Sequence, residues 1–179
     1  LDACLEQDPN SRVAVETMGG HRKIIVMGEI TTDAKVNFEE VVRSVYSDVD
    51  SVQAHIVQQS NFISQGVDTG GAGDQGIMVG YACDDNEQMI PQELYLSRQL
   101  CQLLFEKHPY DGKTQVTLDD GKITAVVASF QNTSKAELHQ QIAQWLNAMD
   151  QDKVGSTVEI HANPAGDWEL GGFDADTGL

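Results

Sequence analysis

The sequence has few basic residues and no long apolar run. Lys and Arg number 11 against 28 acidic residues, and the formal net charge is −17. A surface this negative repels phosphates and anionic lipids, so we expect neither nucleic acid nor a membrane as a partner. No apolar stretch approaches the roughly 18 residues of a membrane-spanning helix, and no secretory signal is visible. A soluble cytoplasmic protein is therefore expected.

Cysteine is also scarce. The three cysteines are Cys4, Cys83 and Cys101; they are widely spaced and form no CxxC pair. An odd number of isolated cysteines argues against a disulfide framework or a zinc cluster. We therefore expect reduced thiols, with Cys101 as a small buried hydrophobe in a helix.

The sequence does contain alternating apolar runs typical of strands. We predict strands at Arg12–Met18, Arg22–Ile30, 51–59, Ile77–Cys83, Thr114–Leu118, Lys122–Phe130 and Thr157–Ala162. Gly19-Gly20 and Asp120-Gly121 are predicted as the hairpin turns. Because turn residues separate adjacent runs, two of these strand pairs are expected to be hairpins.

Apolar residues at i, i+3, i+4 spacing predict helices between the strands. We place them at residues 1–7, Val36–Val49, Pro91–His108 and Ser134–Met149. Ser134 and Glu137 fit a capping box at the start of the last helix. In the helix 91–108 the inward residues are predicted to be Leu94, Leu100, Leu103 and Leu104.

Hairpins that alternate with helices favour an α+β fold. We expect mostly antiparallel sheets with helices on one face, in repeated hairpin-plus-helix units, rather than a doubly wound parallel sheet. Two units are predicted, at residues 1–84 and 85–179.

Four short segments carry residue types suited to ligand chemistry, although each alone has a plain structural explanation. They are the glycine loop Gly71–Gly76 with Asp74, the strand-end Glu29, the turn Asp111-Gly112-Lys113, and the acidic loop Gly171–Gly178. The loop 71–76 lacks GxxxxGK[ST], so it is no P-loop, and the chain has no GxGxxG. Taken singly, they also fit a tight turn, a solvated carboxylate, a surface turn and an acidic turn.

The order of these segments resembles the S-adenosylmethionine synthetase family along nearly the whole chain. The matching stretches are VAVET at 13–17, GEITT at 28–32, QGVD at 65–68, GAGDQGIMVGYA at 71–82, DGKTQVT at 111–117, DDGK at 119–122, NPAG at 163–166 and GGFDADTGL at 171–179. The stretch 71–82 is the most specific. Residues 43–60 and 131–157 match less well, which indicates a divergent member.

The resemblance implies a fold, a reaction and its cofactors. The family fold has three similar α+β units around a pseudo-threefold axis, of which this chain would contain the first two. The reaction forms S-adenosylmethionine from ATP and L-methionine and releases phosphate and pyrophosphate, with Mg²⁺ and K⁺. A homodimer or homotetramer with active sites between subunits is implied.

The resemblance also assigns roles to individual positions. Lys113 and Asp74 would be catalytic, and Glu29, Gln59 and Asp176 would bind methionine. ATP would be bound by Asp111, Gly112, Lys113, Trp168 and Asp176. Glu16 would bind potassium.

The chain also departs from the family pattern. The family's His-Pro-Asp-Lys motif would lie before Leu1, and an Arg-Lys pair would follow Leu179, as would the third unit. The gating loop after Gln59 is short, and Asp167-Trp168 replaces an Arg-Phe pair near the adenine. We therefore expect the 179-residue chain alone to be an inactive fragment. The alternative is a non-catalytic relative that binds nucleotide or methionine, or acts as a scaffold.

Overall fold

The structure is a computed structural model that describes residues 1–67 and 70–175. The chain divides into two compact units, Leu1–Met78 with Gly172–Leu179, and Val79–Gly171. In the described part of each unit a hairpin and one further strand form a three-stranded sheet. No helix in this part of the chain is long and apolar enough to cross a membrane.

The first unit begins with a short helix and a hairpin. Its elements are α1 (Asp2–Leu5), β1 (Arg12–Gly20), β2 (Lys23–Thr31), α2 (Phe38–Val45), β3 (Ser51–Val57) and α3 (Asn61–Val67). A single 3₁₀ turn at Gly172–Asp174 returns to this unit. The helix α3 was not predicted, and it occupies the loop that follows Gln59.

The hairpin turn of the first unit lies at His21-Arg22, so the prediction of Gly19-Gly20 is wrong. Both turn residues have positive φ, 48° and 60°, as a two-residue turn between right-twisted strands requires. In this turn the Arg22 guanidinium contacts Asp48 at 2.5 Å and Asp50 at 3.0 Å. Gly19 and Gly20 belong to β1 instead of the turn.

The second unit is built around a larger core. Its elements are α4 (Gln92–Lys107), β4 (Gly112–Asp119), β5 (Lys122–Phe130), α5 (Lys135–Ala148), a 3₁₀ turn (Gln151–Lys153) and β6 (Val154–Ala162). Asp120 and Gly121 have positive φ, which confirms the predicted turn. The Ser134 side chain accepts the Glu137 backbone N–H, which confirms the predicted helix start.

Helices α4 and α5 cover one face of the second sheet. Leu100, Leu104, Leu138 and Ile142 are fully buried there against Phe130. Leu96 is also buried, whereas Leu94 is 40% exposed, so the prediction that Leu94 faces inward is wrong. A helix residue four positions before Leu100 lies on the same face, and a residue six positions before it does not.

The predicted strand at Ile77–Cys83 does not form. These residues have no regular secondary structure, and Ile77, Met78 and Val79 are at least 92% exposed. Apolar content alone does not make a strand, because a strand also needs a neighbour to accept its backbone hydrogen bonds.

The α+β class is confirmed, and the sheets are mixed. Within each sheet the hairpin is antiparallel, whereas the third strand pairs in parallel with the second, β3 with β2 and β6 with β5. The expectation of mostly antiparallel pairing did not include the parallel pairing of this third strand. Each third strand follows a helical crossover, and such a connection returns the chain in the parallel direction.

Candidate functional site

The candidate residues of the first unit lie on the outer face of its sheet. Glu16 pairs with Met27, and Glu29 pairs with Ala14 on one side and Val57 on the other. Paired residues point to the same face of a sheet, so Glu16 and Glu29 share this face as diagonal neighbours, a spacing of roughly 7–8 Å. The opposite face carries the buried Ile24 and Val26.

Glu29 lies in a partly apolar setting. Its side chain is half-buried, while Glu16 is exposed. Val57 is 61% exposed and Met27 is 55% exposed, so apolar side chains surround this carboxylate without covering it. The arrangement offers a negative charge beside exposed apolar side chains.

Gln59 reaches the same end of this sheet. It follows β3 by two residues, and Val57 at the end of β3 is the partner of Glu29. Arg12 at the start of β1 donates from Nε to Oε1 of Gln59 at 3.1 Å. Sequence reasoning missed Arg12, although its position at the first residue of a predicted strand places it at the sheet end.

The segment after Glu29 is held by the carboxylate of Asp8. Its Oδ2 accepts the Asp33 backbone N–H at 3.0 Å and the Thr32 hydroxyl at 3.1 Å, and its Oδ1 accepts the Asn10 backbone N–H at 3.0 Å. These hydrogen bonds, first those from the Asp33 and Asn10 backbone, lower the pKa of Asp8. They favour the charged form because a carboxylate accepts them better than a carboxylic acid.

Replacing Asp8 by asparagine should destabilise the protein at neutral pH and not at strongly acidic pH. A lowered folded-state pKa stabilises the fold above the ordinary value of 3.8, and this contribution is lost as the pH falls below that value. Urea unfolding of both forms across pH 2 to 7 measures the difference. Asp33→Asn is the control, since the Asp33 side chain is exposed. A difference that stays constant across this range would contradict the assignment.

The candidate residues of the second unit lie together on the outer face of its sheet. Lys113 of β4 pairs with Ser129 of β5, so both side chains point away from the core. The Trp168 indole N–H donates to the Ser129 hydroxyl at 3.0 Å. Within the described residues the Lys113 ammonium forms no hydrogen bond or ion pair. An ammonium group with no partner among the described residues therefore shares this face with Ser129, the residue to which the Trp168 indole is bound.

Asp111 lies beside the Trp168 segment at Gly171, while the next residue, Gly112, packs against the core side chain of Phe130. A Cβ at Gly171 would lie 2.7 Å from the Trp168 ring and 2.8 Å from Cβ of Asp111. A Cβ at Gly112 would lie 2.5 Å from the Phe130 ring. All three distances are shorter than real Cβ contacts, so glycine is the residue that fits at these two positions.

Sequence reasoning missed Ser129 and the role of Asp167. Alternation along β5 places Ser129 opposite Lys113, and this pattern could have found it. Asp167 Oδ1 accepts the Lys135 backbone N–H at 2.8 Å and the Asn163 amide at 3.4 Å. Its negative charge is therefore used at the N-terminus of α5, where a helix favours an anion.

Asp74, another candidate, is not brought to either face. Asp74 lies outside the sheets in an exposed segment, and its Oδ1 accepts the next backbone N–H, that of Gln75, at 2.7 Å. Asp176 lies outside the described residues.

Comparisons with known proteins agree with the predicted resemblance. A model of the N-terminal domain of S-adenosylmethionine synthetase matches residues 1–67, and a model of its central domain matches residues 69–168. The chain is 34% identical to the S-adenosylmethionine synthases of Salinibacter ruber and Brachyspira hyodysenteriae. It is also 34% identical to that of Myxococcus xanthus.

These alignments cover all of the chain and 54 to 57% of the relatives, so the chain spans about half the length of the curated relatives it matches. The match to the central domain alone covers more than half of the chain. The predicted resemblance is confirmed, and this chain belongs to the S-adenosylmethionine synthetase family.

Proposed function

We propose that the protein carrying this chain is a methionine adenosyltransferase. It forms S-adenosylmethionine from ATP and L-methionine in the cytoplasm, and phosphate and pyrophosphate leave. The observation that carries the proposal is the cluster of Lys113, Ser129 and Trp168 on one outer sheet face. A compact cation next to an indole suits a nucleotide, whose two ends are an anion and a flat base.

In this proposal Lys113 binds the triphosphate of ATP. An in-line attack of the methionine sulfur on C5′ forms the sulfonium and expels triphosphate, on which negative charge develops. Water then hydrolyses the triphosphate to phosphate and pyrophosphate. A fixed ammonium group stabilises that charge, and it needs no proton transfer to do so. Lys113 is suited to this task because its ammonium is exposed and unpaired within the described residues.

Trp168 would stack against the adenine. Its ring is oriented by the hydrogen bond to Ser129, which leaves less side-chain freedom to lose on binding. The neighbouring Asp167 carboxylate accepts the Lys135 backbone N–H, so it has a structural partner within the chain. The non-catalytic alternative rests on the charge reversal at Asp167 and on the short segment after Gln59.

The first unit would bind methionine. The half-buried carboxylate of Glu29 suits the amino group, and Met27 and Val57 provide an apolar surface for the thioether chain. Gln59 would contribute a further polar contact from the same sheet end. Asp74 and Asp176 remain proposed site residues on the strength of the family resemblance alone.

Magnesium and potassium are the proposed metal ions. Within residues 1–67 and 70–175, no three His, Cys, Asp or Glu side chains are gathered to form a metal cage. Magnesium bound together with phosphates needs only one or two carboxylates, and Asp111 beside Lys113 would supply one. Bound magnesium would neutralise part of the triphosphate charge. Glu16 would supply one carboxylate to potassium, which needs further ligands.

The proposed assembly is a homodimer or homotetramer with active sites between subunits. Exposed apolar side chains on the outer face of the first sheet support it, namely Met18, Met27 and Val57. Apolar side chains grouped on one face are typical of an interaction surface.

Replacing Trp168 by alanine tests the nucleotide proposal. We expect ATP affinity to fall about 10-fold, because stacking of a base on an aromatic ring contributes roughly 1–3 kcal/mol. Affinity for tripolyphosphate, which has no base, should not change. Isothermal titration of both ligands in the presence of Mg²⁺ measures this difference. Absence of ATP binding, or equal loss for both ligands, would contradict the proposal.

A further inference from the structure

Gln131 connects the two segments that carry Lys113 and Trp168. It follows β5 directly and is half-buried. Its side-chain Nε2 donates to the Glu169 carbonyl at 2.8 Å, and its Oε1 accepts the Asp111 backbone N–H at 3.3 Å. Its own backbone N–H donates to the Asp111 carbonyl at 2.9 Å. One side chain therefore holds both segments.

Further contacts hold the Trp168 segment at this point. Trp168 is attached through its indole to Ser129, and its carbonyl accepts the Asn132 backbone N–H at 2.9 Å. Gly171, two residues after Glu169, packs where an added Cβ would lie only 2.6 Å from Gln131 Oε1. The Gln131 amide thus lies at the centre of the contact between the Asp111 segment and the Trp168 segment.

An amide is the side-chain group that this position requires. It offers a donor and an acceptor on one planar group, and both are used here. A carboxylate of the same length keeps the acceptor and loses the donor. Leucine, which has nearly the same volume, keeps neither.

We propose that Gln131 is a positioning residue for the nucleotide site, and this inference rests on the proposed function. Gln131 does not touch the nucleotide. It fixes the distance between the cation that meets the triphosphate and the indole that meets the base. ATP contacts both groups, so a fixed distance between them raises its binding affinity. Tripolyphosphate contacts only the ammonium group, so its affinity depends little on that distance.

The test compares Gln131→Leu with Gln102→Leu, an exposed glutamine of α4 that undergoes the same change. We expect Gln131→Leu to raise the Kd for ATP about 5- to 20-fold, since two hydrogen bonds that hold the site are lost. The Kd for tripolyphosphate should change less than about twofold on the same reasoning, and Gln102→Leu should change neither Kd.

Acrylamide quenching of tryptophan fluorescence supplies the readout that a general loss of stability would not give. Quenching should rise in Gln131→Leu and in Gln131→Glu, since both lose the bond to Glu169, while the thermal midpoints stay close to that of the unaltered protein. Trp145 contributes equally to all forms.

Two results would overturn the inference, and they are distinguishable. If ATP binding and quenching are unchanged in Gln131→Leu, the positioning role of Gln131 is contradicted and the proposed function is not. Absence of ATP binding by the unaltered protein would contradict the proposed function and the positioning role with it.

Discussion

Replacing Lys113 by alanine is expected to reduce S-adenosylmethionine formation by about 10² to 10³-fold, the usual loss when one group that stabilises transition-state charge is removed. Binding of ATP and of tripolyphosphate should weaken together, because both present the phosphates that the ammonium meets. This pattern differs from that of Trp168→Ala, which should affect ATP alone. Product formation by mass spectrometry and titration of both ligands measure the two effects.

Lys122→Ala is the matched control for this prediction. Lys122 is an exposed lysine of the same hairpin, at the first residue of β5. It pairs with Asp119 at the far end of the hairpin from Lys113, so its loss should leave activity unchanged. Equal losses for the two lysines would show a general effect of charge in a protein with a net charge of −17. That result would contradict a specific role for Lys113.

Replacing Leu100 by alanine is expected to lower the free energy of unfolding by about 3 kcal/mol, within the usual range for a buried leucine. Leu100 is a residue of α4 that is 0% exposed and packs in the core between α4, α5 and the second sheet. Neighbouring side chains on two helices and a sheet leave little freedom to collapse into the space left behind. Chemical denaturation with urea measures the change.

Leu94→Ala separates the effect of burial from that of residue type. Leu94 lies on the same helix and is 40% exposed, so the same truncation should cost less than about 1 kcal/mol. The sequence prediction placed both residues in the core, and the structure places only Leu100 there. Equal costs at the two positions would contradict the structure of α4.

Local signals predicted much of the second unit. The strand Lys122–Phe130, the turn at Asp120-Gly121 and the helix start at Ser134 occur as predicted. Each depends on residues close in sequence, since a turn or a cap is formed by its own side chains and backbone. Features with local causes are the ones that a sequence reveals.

Features that depend on distant residues were predicted less well. At the turn His21-Arg22, Arg22 pairs with Asp48 and Asp50, about 27 residues further along, and no local pattern shows these contacts. The segment Ile77–Cys83 has an apolar pattern, yet it forms no strand, and Ile77, Met78 and Val79 remain exposed. In both cases tertiary contacts, or their lack, override local propensity.

In the candidate site, too, single residues were predicted and contacts between distant segments were not. Family resemblance pointed to Glu29, Lys113 and Trp168 individually. It did not predict that Ser129 holds Trp168, because two segments far apart in sequence must meet for this bond to form. It also pointed to Asp167 only as the replacement of an arginine near the adenine, whereas in the folded chain that carboxylate accepts the first backbone N–H of α5.

Formation of S-adenosylmethionine tests the central claim most directly. The full-length protein that carries this chain is given ATP, L-methionine, Mg²⁺ and K⁺, and the products are identified by mass spectrometry. The proposed function predicts S-adenosylmethionine with phosphate and pyrophosphate in equal amounts, all lost together in Lys113→Ala. Folded protein that binds ATP and forms no product would contradict it and would favour a nucleotide-binding relative of the same fold.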